Sequence, residues 1–397
     1  MAKPQIRLKR FEGEWENVCF KDFSYPAGEK NRDNLPLESY SISNEFGFVP
    51  QNEQFEKGGT MANADKRMYY IVKPDSFAYN PARINVGSIG YDNLDKDVIV
   101  SSLYVIFKTD SETNNEWLNI WFKTPYFKRL VELYQEGGVR LYFFYDKLCA
   151  CHLNRPLLLE QKVIADYFKS LDSMLQSTTK KIESLKQVKQ ACLVSMFPQA
   201  GETTPRVRFK GFEGEWTTES AGHLFNTFNE RNRPDLPVLS ANQDLRGMAP
   251  RNDIGYQISH NRSNEVTYKV VRPGQFVIHL RSFQGGFAHS SVLGITSPAY
   301  TVFGFKNSQK HDDYFWKIIF MSKEFIKNLE TITYGIRDGK SISFTEFSEM
   351  KFLYPSKDEQ QRIASYFRSL DKQISLQEKR LEKLKQIKAA CLDKMFV

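Results

Sequence analysis

Cysteine is scarce in this sequence: five residues, an odd number, scattered over 397 positions. That argues against a disulfide frame and for free thiols in a reducing compartment, the cytoplasm. Long apolar runs are missing too. No stretch approaches the roughly 18 consecutive apolar residues of a membrane span. The basic segment Met1–Arg10 has no hydrophobic run behind it, so a secretory signal is not expected. A strong charge of one sign is lacking as well. The net charge is +8, but residues 160–197 carry 6 Lys/Arg against 4 Asp/Glu and residues 358–397 carry 9 against 6. Those two segments hold most of the excess. An acidic partner such as nucleic acid must be met by local clusters, not by bulk charge.

Catalytic signatures are also absent. Gly335-Ile-Arg-Asp-Gly339-Lys340-Ser341 resembles a phosphate loop but is one residue short, because Tyr334 stands where glycine is needed. The corresponding Gly137-Gly138-Val139-Arg140 lacks Lys-Ser, and both read as turns. Cys149, Cys151 and His152 cluster, but tetrahedral zinc wants four ligands and usual Cys-x-x-Cys spacing. Asn80-Pro81-Ala82-Arg83 fails as a methyltransferase motif, and Glu349-x-Lys351 has no Pro-Asp partner for a nuclease. His223, His260, His279, His289 and His311 have no counterparts in the first half. A duplicated active site would show itself twice, so no catalytic residue and no metal ligand are assigned.

Aromatic residues are plentiful, with 31 Phe and 19 Tyr, enough for large buried cores. Their arrangement reveals a repeat. Pro4–Trp15 reads PQIRLKRFEGEW, and Pro205–Trp216 reads PRVRFKGFEGEW. Asn31-Arg32 and Leu35-Pro36 face Asn232-Arg233 and Leu236-Pro237; Tyr69–Phe77 faces Tyr268–Phe276. Ile164-Ala-Asp-Tyr-Phe-Lys-Ser-Leu-Asp172 faces Ile363-Ala-Ser-Tyr-Phe-Arg-Ser-Leu-Asp371, and Leu185–Leu193 faces Leu384–Leu392. The shift stays between 199 and 201, far above solenoid periods, so this is domain duplication. Matches thin out around residues 38–66 and 239–266, as if one fold carried two different surfaces.

Each half reads as an α+β domain followed by a long helix. Tyr69–Tyr79, Asp97–Phe107, Val266–Leu280 and Tyr300–Phe305 are predicted strands; Asn114–Leu133 and Asp312–Leu329 are predicted helices. The expected divisions are 1–156, a long helix within 157–198, 199–355, and a second long helix within 356–397. A heptad frame puts Ile164, Leu171, Thr178, Leu185 and Cys192 at a, with Phe168, Leu175, Ile182, Lys189 and Met196 at d. The second frame has Ile363, Leu370, Gln377, Leu384 and Cys391 at a, with Phe367, Ile374, Leu381, Lys388 and Met395 at d. Such a seam wants partner helices. Val188/Ile387 and Ala191/Ala390 widen it toward a bundle with helices of another chain. If the two long helices pack antiparallel, the end of the second returns to the first domain, and about 37 residues make a ruler roughly 55 Å long. The expected interface residues are Ile164, Phe168, Leu171, Ile182, Leu185, Ile363, Phe367, Leu370, Leu381 and Leu384.

Binding is the remaining class. Basic and amide residues recur at equivalent loop positions: Lys30 and Arg32 against Arg231 and Arg233; then Asn80, Arg83 and Asn85 against Arg281, Ser282 and Gln284. Arg246 and Arg251 join them from the divergent segment. Arginine pairs with guanine edges, and Asn or Gln with adenine. A solvated polar surface is the bland alternative for each residue.

The doubled Phe-Glu-Gly-Glu-Trp motif, the doubled Pro-x-x-x-Glu-Gln helix start (Pro156–Gln161 and Pro355–Gln360) and the doubled Ile-Ala-x-Tyr-Phe-x-Ser-Leu-Asp helix together resemble the specificity (S) subunit of type I restriction-modification systems. The resemblance covers essentially the whole chain. It implies two target-recognition domains reading the halves of a bipartite duplex DNA site, with two helices as an antiparallel coiled-coil spacer. It also implies two modification (methyltransferase) subunits packed on that spacer, with restriction subunits joining them. S-adenosylmethionine, ATP and magnesium then belong to those partners, and this chain binds no cofactor and catalyses nothing alone. A coiled-coil scaffold joining two protein-binding modules is the other reading the residues leave open.

Overall fold

Proline sets the strand lengths in this protein. The segments 69–79 and 266–280, each predicted as one strand, are both cut in two. Tyr70–Val72 and Phe77–Tyr79 flank Pro74, and Lys269–Val271 and Phe276–Ile278 flank Pro273. A proline cannot donate to a sheet ladder, and the next residue swings into the left-handed region, Asp75 at φ 64° and Gly274 at φ 82°. The turn amides then bond to the following strands, Asp75 N–H to the Asp92 carbonyl at 3.1 Å and Gly274 N–H to the Ser290 carbonyl at 2.8 Å. The predicted strand 97–107 is likewise two strands, Val98–Val100 and Val105–Thr109.

The computed structural model describes residues 3–44, 46–54, 65–242, 247–253, 262–279, 286–332 and 342–397. It divides into two units: Met1–Lys180 with Lys379–Val397, and Lys181–Glu378. Both are mixed α and β. The first unit has an antiparallel four-stranded sheet in the order Ser24–Pro26, Val105–Thr109, Phe77–Tyr79, Ile89–Tyr91. A three-stranded sheet of Glu29–Lys30, Tyr70–Val72 and Val98–Val100 lies beside a separate hairpin, Tyr40–Ser43 with Gly47–Pro50. In the second unit the matching strands are Phe225–Phe228, Thr301–Phe305, Phe276–Ile278 and Phe287–Ser290. Here the hairpin Leu239–Asn242 with Gly247–Pro250 joins the sheet by parallel pairing onto Phe287–Ser290, making six strands. The duplicated fold therefore differs in the hairpin region where the two sequences diverge most.

The predicted helices also divide. Thr124 accepts from the Phe127 amide and Pro125 opens the next turn, so 114–133 becomes Asn115–Trp121 and Pro125–Tyr134. Likewise 312–329 becomes Asp313–Phe320 and Lys323–Ile332, with the Ser322 hydroxyl accepting from Phe325 N–H at 3.1 Å.

The long helices run from Leu158 to Ser195 and from Lys357 to Lys394. Their first turns are pinned by the repeated motifs. Arg7 grips buried Glu160 with two bonds of 2.8 and 2.7 Å, and Arg208 grips Glu359 with two of 2.7 Å. The same guanidinium reaches the carbonyl of Gly13 at 2.5 Å or Gly214 at 2.6 Å. Those glycines sit at φ 86° and 80°, which is why the motif carries glycine there. Gln161 accepts from Asn114 N–H at 2.7 Å and donates to the Pro156 carbonyl at 2.9 Å. Gln360 does the same with Asp312 N–H at 3.0 Å and the Pro355 carbonyl at 2.9 Å. Each Glu-Gln pair thus fastens a long helix to the N-terminal motif and to the cap of a domain helix.

Within each unit the start of one long helix lies antiparallel to the end of the other. In the first, Tyr167 meets Cys391 at 3.7 Å and Lys388 pairs with Asp172. In the second, Tyr366 meets Cys192 at 3.4 Å and Lys189 lies 2.5 Å from Asp371. The repeated polar d positions are therefore lysines that reach carboxylates on the neighbouring helix. The helix ends then enter the cores. Phe396 packs on Trp117 at 6.2 Å and Trp15 at 6.5 Å; Phe197 packs on Phe315 at 5.7 Å and Trp216 at 5.9 Å. Ile6 N–H bonds to the Lys394 carbonyl at 3.0 Å, as Val207 N–H bonds to Ser195 at 2.8 Å.

The seam residues divide between two tasks. Ile164 and Phe168 belong to the aromatic core of the first unit, and Leu185, Ile363, Phe367 and Leu370 to that of the second. Leu171, Ile182 and Leu384 are buried, while Leu381 is half-buried. Among the residues thought to widen the seam, Val188, Ala191 and Ala390 are exposed, and Ile387 packs against the first core.

Candidate nucleic-acid interface

In the first unit, Asn80, Arg83 and Asn85 share one loop. It closes the hairpin Phe77–Tyr79 with Ile89–Tyr91 and includes the short 3-10 turn Ile84–Val86. The Asn80 side chain accepts from Ala82 N–H at 3.0 Å, so it shapes the loop. Arg83 and Asn85 are exposed. The turn is anchored from below by buried Ile84 and ends at Gly87, φ 88°.

Lys30 ends a strand, donates to the Met68 carbonyl at 3.1 Å and sits 4.2 Å from the Tyr70 ring centre. Arg32 is exposed beside it. Asn31 between them is buried and clamps the backbone of Leu35 with bonds of 2.8 and 3.1 Å. That explains why Asn and Leu recur together in the repeat.

In the second unit, Arg231 donates to Asn229 at 3.0 Å, and Arg233 grips Asp235 with its shortest bond at 2.7 Å. Arg251 donates to the Ser240 hydroxyl at 3.2 Å. Arg246, Arg281, Ser282 and Gln284 lie outside the described residues, as does the Gly335–Ser341 stretch.

The Cys-His cluster is an ordinary piece of core. Cys19 Sγ donates to the Cys149 carbonyl at 3.2 Å and Cys151 Sγ to the Lys147 carbonyl at 3.3 Å. Burial pushes the Cys151 thiol up to about 12, so it is not a thiolate at neutral pH. His152 faces Asn17 at 3.1 Å across a two-stranded pair. Among the described residues no group of three or more His, Cys, Asp or Glu could hold a metal ion. Among them, too, no helix is long and apolar enough to cross a membrane.

One surface reads in the sequence only as a turn, and the structure places a tight turn there. Glu136 and Tyr142 exchange backbone bonds of 2.9 and 2.8 Å and close a tight loop, Gly137–Leu141. Gly137 has φ 137°, and a Cβ there would stand 2.1 Å from the Arg140 carbonyl oxygen. Only glycine fits. The signal available in the sequence was the Gly-Gly pair itself.

The model of the type I restriction modification DNA specificity domain matches residues 217–386. Those residues belong to that family. It is the same family that the doubled motifs resemble, and the first half carries those motifs too. Among curated proteins no sequence matches significantly. Several solved structures do. The type I restriction-modification system S subunit from M. genitalium is 12% identical, with a TM-score of 0.58 over 100% of this chain and 99% of that one. A chain from a structure on complex assembly and conformational transition of the type I R-M system is 14% identical, with a TM-score of 0.53 over 98% of each. The HsdS subunit from Thermoanaerobacter tengcongensis is 16% identical over 96% of each chain, with a TM-score of 0.49. At these identities the first two likenesses establish the fold: two mixed domains with long helices, as in specificity subunits.

Proposed function

We propose that this chain is the non-catalytic DNA-specificity subunit of a type I restriction-modification complex, each globular domain reading one half of an asymmetric bipartite site. The match of residues 217–386 to a DNA specificity domain carries this reading. The duplication extends it to the first half, where the clasp of Arg7 on Glu160 repeats that of Arg208 on Glu359. The domains share a frame but differ in the hairpin region and the loops, which suits two unlike half-sites better than a palindrome.

In this reading the long helices set the gap between half-sites and dock two methyltransferase subunits, with restriction subunits completing the complex in the cytoplasm. S-adenosylmethionine, ATP and magnesium are used by those partners. The chain contributes binding alone, through phosphate contacts that position it and loop side chains that read base edges.

Methylome sequencing of cells carrying this chain with its methyltransferase partner tests the proposal. The expected result is one asymmetric motif in two parts with a fixed gap, lost when the chain is deleted. A continuous motif, or methylation indifferent to the chain, overturns it. Deleting one heptad from each long helix should change or abolish the tolerated gap, and an unchanged gap removes the helices from that role.

A further inference from the structure

The loop Gly137–Leu141 is closed by paired backbone bonds, apolar at its tip and unexplained by the fold. Val139 is fully exposed, Leu133 is 72% exposed, and Tyr142 stacks on exposed Phe144 at 5.5 Å with the rings 4° from parallel. Exposed apolar groups gathered this way mark a contact surface. The loop is not isolated. Phe143 N–H bonds to the Pro81 carbonyl at 3.0 Å, inside the loop that carries Asn80, Arg83 and Asn85. Buried Phe143, Val131 and Ile84 belong to one core cluster beneath both loops. The two loops therefore rise from one shared core and are joined by a backbone bond.

Charge identifies the partner. Arg7, Arg155, Arg208, Arg233 and Arg272 all bind carboxylates. Among the described residues Arg83 and Arg140 have no such partner, a state they share with Arg32 and Arg129 among others, but these two stand on neighbouring loops. The nearest carboxylate in sequence, Glu136, is held by Lys147 at 3.0 Å. Exposed Arg140 thus follows exposed Val139 in one loop, and exposed Arg83 opens the turn that carries exposed Val86 in the other. This combination suits a nucleic-acid groove, where apolar side chains press on sugars and base edges while arginines meet phosphates or a narrow minor groove.

We propose that Gly137–Leu141 is a second reading element of the first domain, with Val139 and Arg140 entering the duplex groove next to the one read by Arg83 and Asn85. This rests on the reading of the first domain as a DNA binder.

The test selects binding sites from random-sequence duplex DNA, using the full chain complexed with its methyltransferase partner. Val139→Ala, Arg140→Ala and Arg140→Lys are compared with the parent, all at exposed positions where folding is undisturbed. The expected result is an affinity loss of about tenfold for Arg140→Ala, the size of one good arginine contact. Preference should relax at positions of one half-site only, with the other half-site unchanged. Val139→Ala should relax the same half-site, and Arg140→Lys should keep affinity better than Arg140→Ala. Variants that select the parental motif with parental affinity overturn this proposal and leave the DNA-binding reading intact. A parent that selects no motif overturns both.

Discussion

The clasp between Arg208 and Glu359 offers the sharpest test of how the repeated motifs work. Glu359 is 1% exposed in its side chain and Arg208 17%. Glu359→Ala leaves the mostly covered Arg208 guanidinium with the Gly214 carbonyl and the more distant charge of Glu213. Removing one partner of a buried pair typically costs about 3–5 kcal/mol, because the remaining charge stays desolvated. Replacing both, as in Arg208→Met with Glu359→Leu, should cost much less, within about 1–2 kcal/mol of the parent. The turn bond to Gly214 is lost in that variant, but no charge is stranded.

A chain of two units need not unfold in one step, so the measurement must be local. Hydrogen exchange serves, read at residues 205–216 and at the first turns of the helix Lys357–Lys394. A loss of 3–5 kcal/mol raises local opening by roughly two to three and a half powers of ten. The first unit is an internal control. Glu359→Ala should leave Pro4–Trp15 protected, and Glu160→Ala should do the reverse. If both single changes cost under about 1 kcal/mol, the pairs behave like exposed surface bridges and the clasp has been misjudged. If the double variant costs as much as the two singles summed, the pair is not coupled and the reasoning fails.

Asp92 is fully buried, and burial, with Asp75 and Asp97 nearby, lifts its carboxyl to about 6. An acid whose folded pKa lies above its unfolded value weakens the fold as pH rises from about 4 through 6. Asp92→Asn should therefore stabilise the first unit by about 1–2 kcal/mol at pH 7.5 and not at pH 4, as melting curves at the two pH values would show. Asp371→Asn should destabilise the second unit by about 1 kcal/mol, since it weakens bonds to Lys189 at 2.5 Å and Tyr314 at 2.6 Å in a partly exposed site; an unchanged melting temperature counts against the lysine ladder. Phe396→Ala should cost the first unit about 3–5 kcal/mol, because the ring fills a site between Trp15, Trp117 and Phe168. Normal hydrogen exchange at those tryptophans would refute it.

What could be read from the sequence follows from how far each signal reaches along the chain. The long helices were legible because their seam repeats every seven residues and occurs twice, so Lys189 and Lys388 marked themselves as equivalent before any contact was known. The motifs around Arg7 and Arg208 were legible as a family signature but not as a mechanism. Their partners, Glu160 and Glu359, lie 153 and 151 residues away, and nothing local announces such a pairing. The long strands failed for the opposite reason. Their β-rich composition was read over too wide a window, and the local veto of Pro74 and Pro273 was missed. Base-reading residues are the hardest, since an exposed arginine looks the same in sequence whether it waits for a phosphate or already holds a carboxylate. Arg233 and Arg83 were indistinguishable on paper. The structure separates them: Arg233 is bound to Asp235, and Arg83 is exposed with no carboxylate partner. A recognition surface is thus better sought among charges the fold has left unpaired than among charges as such.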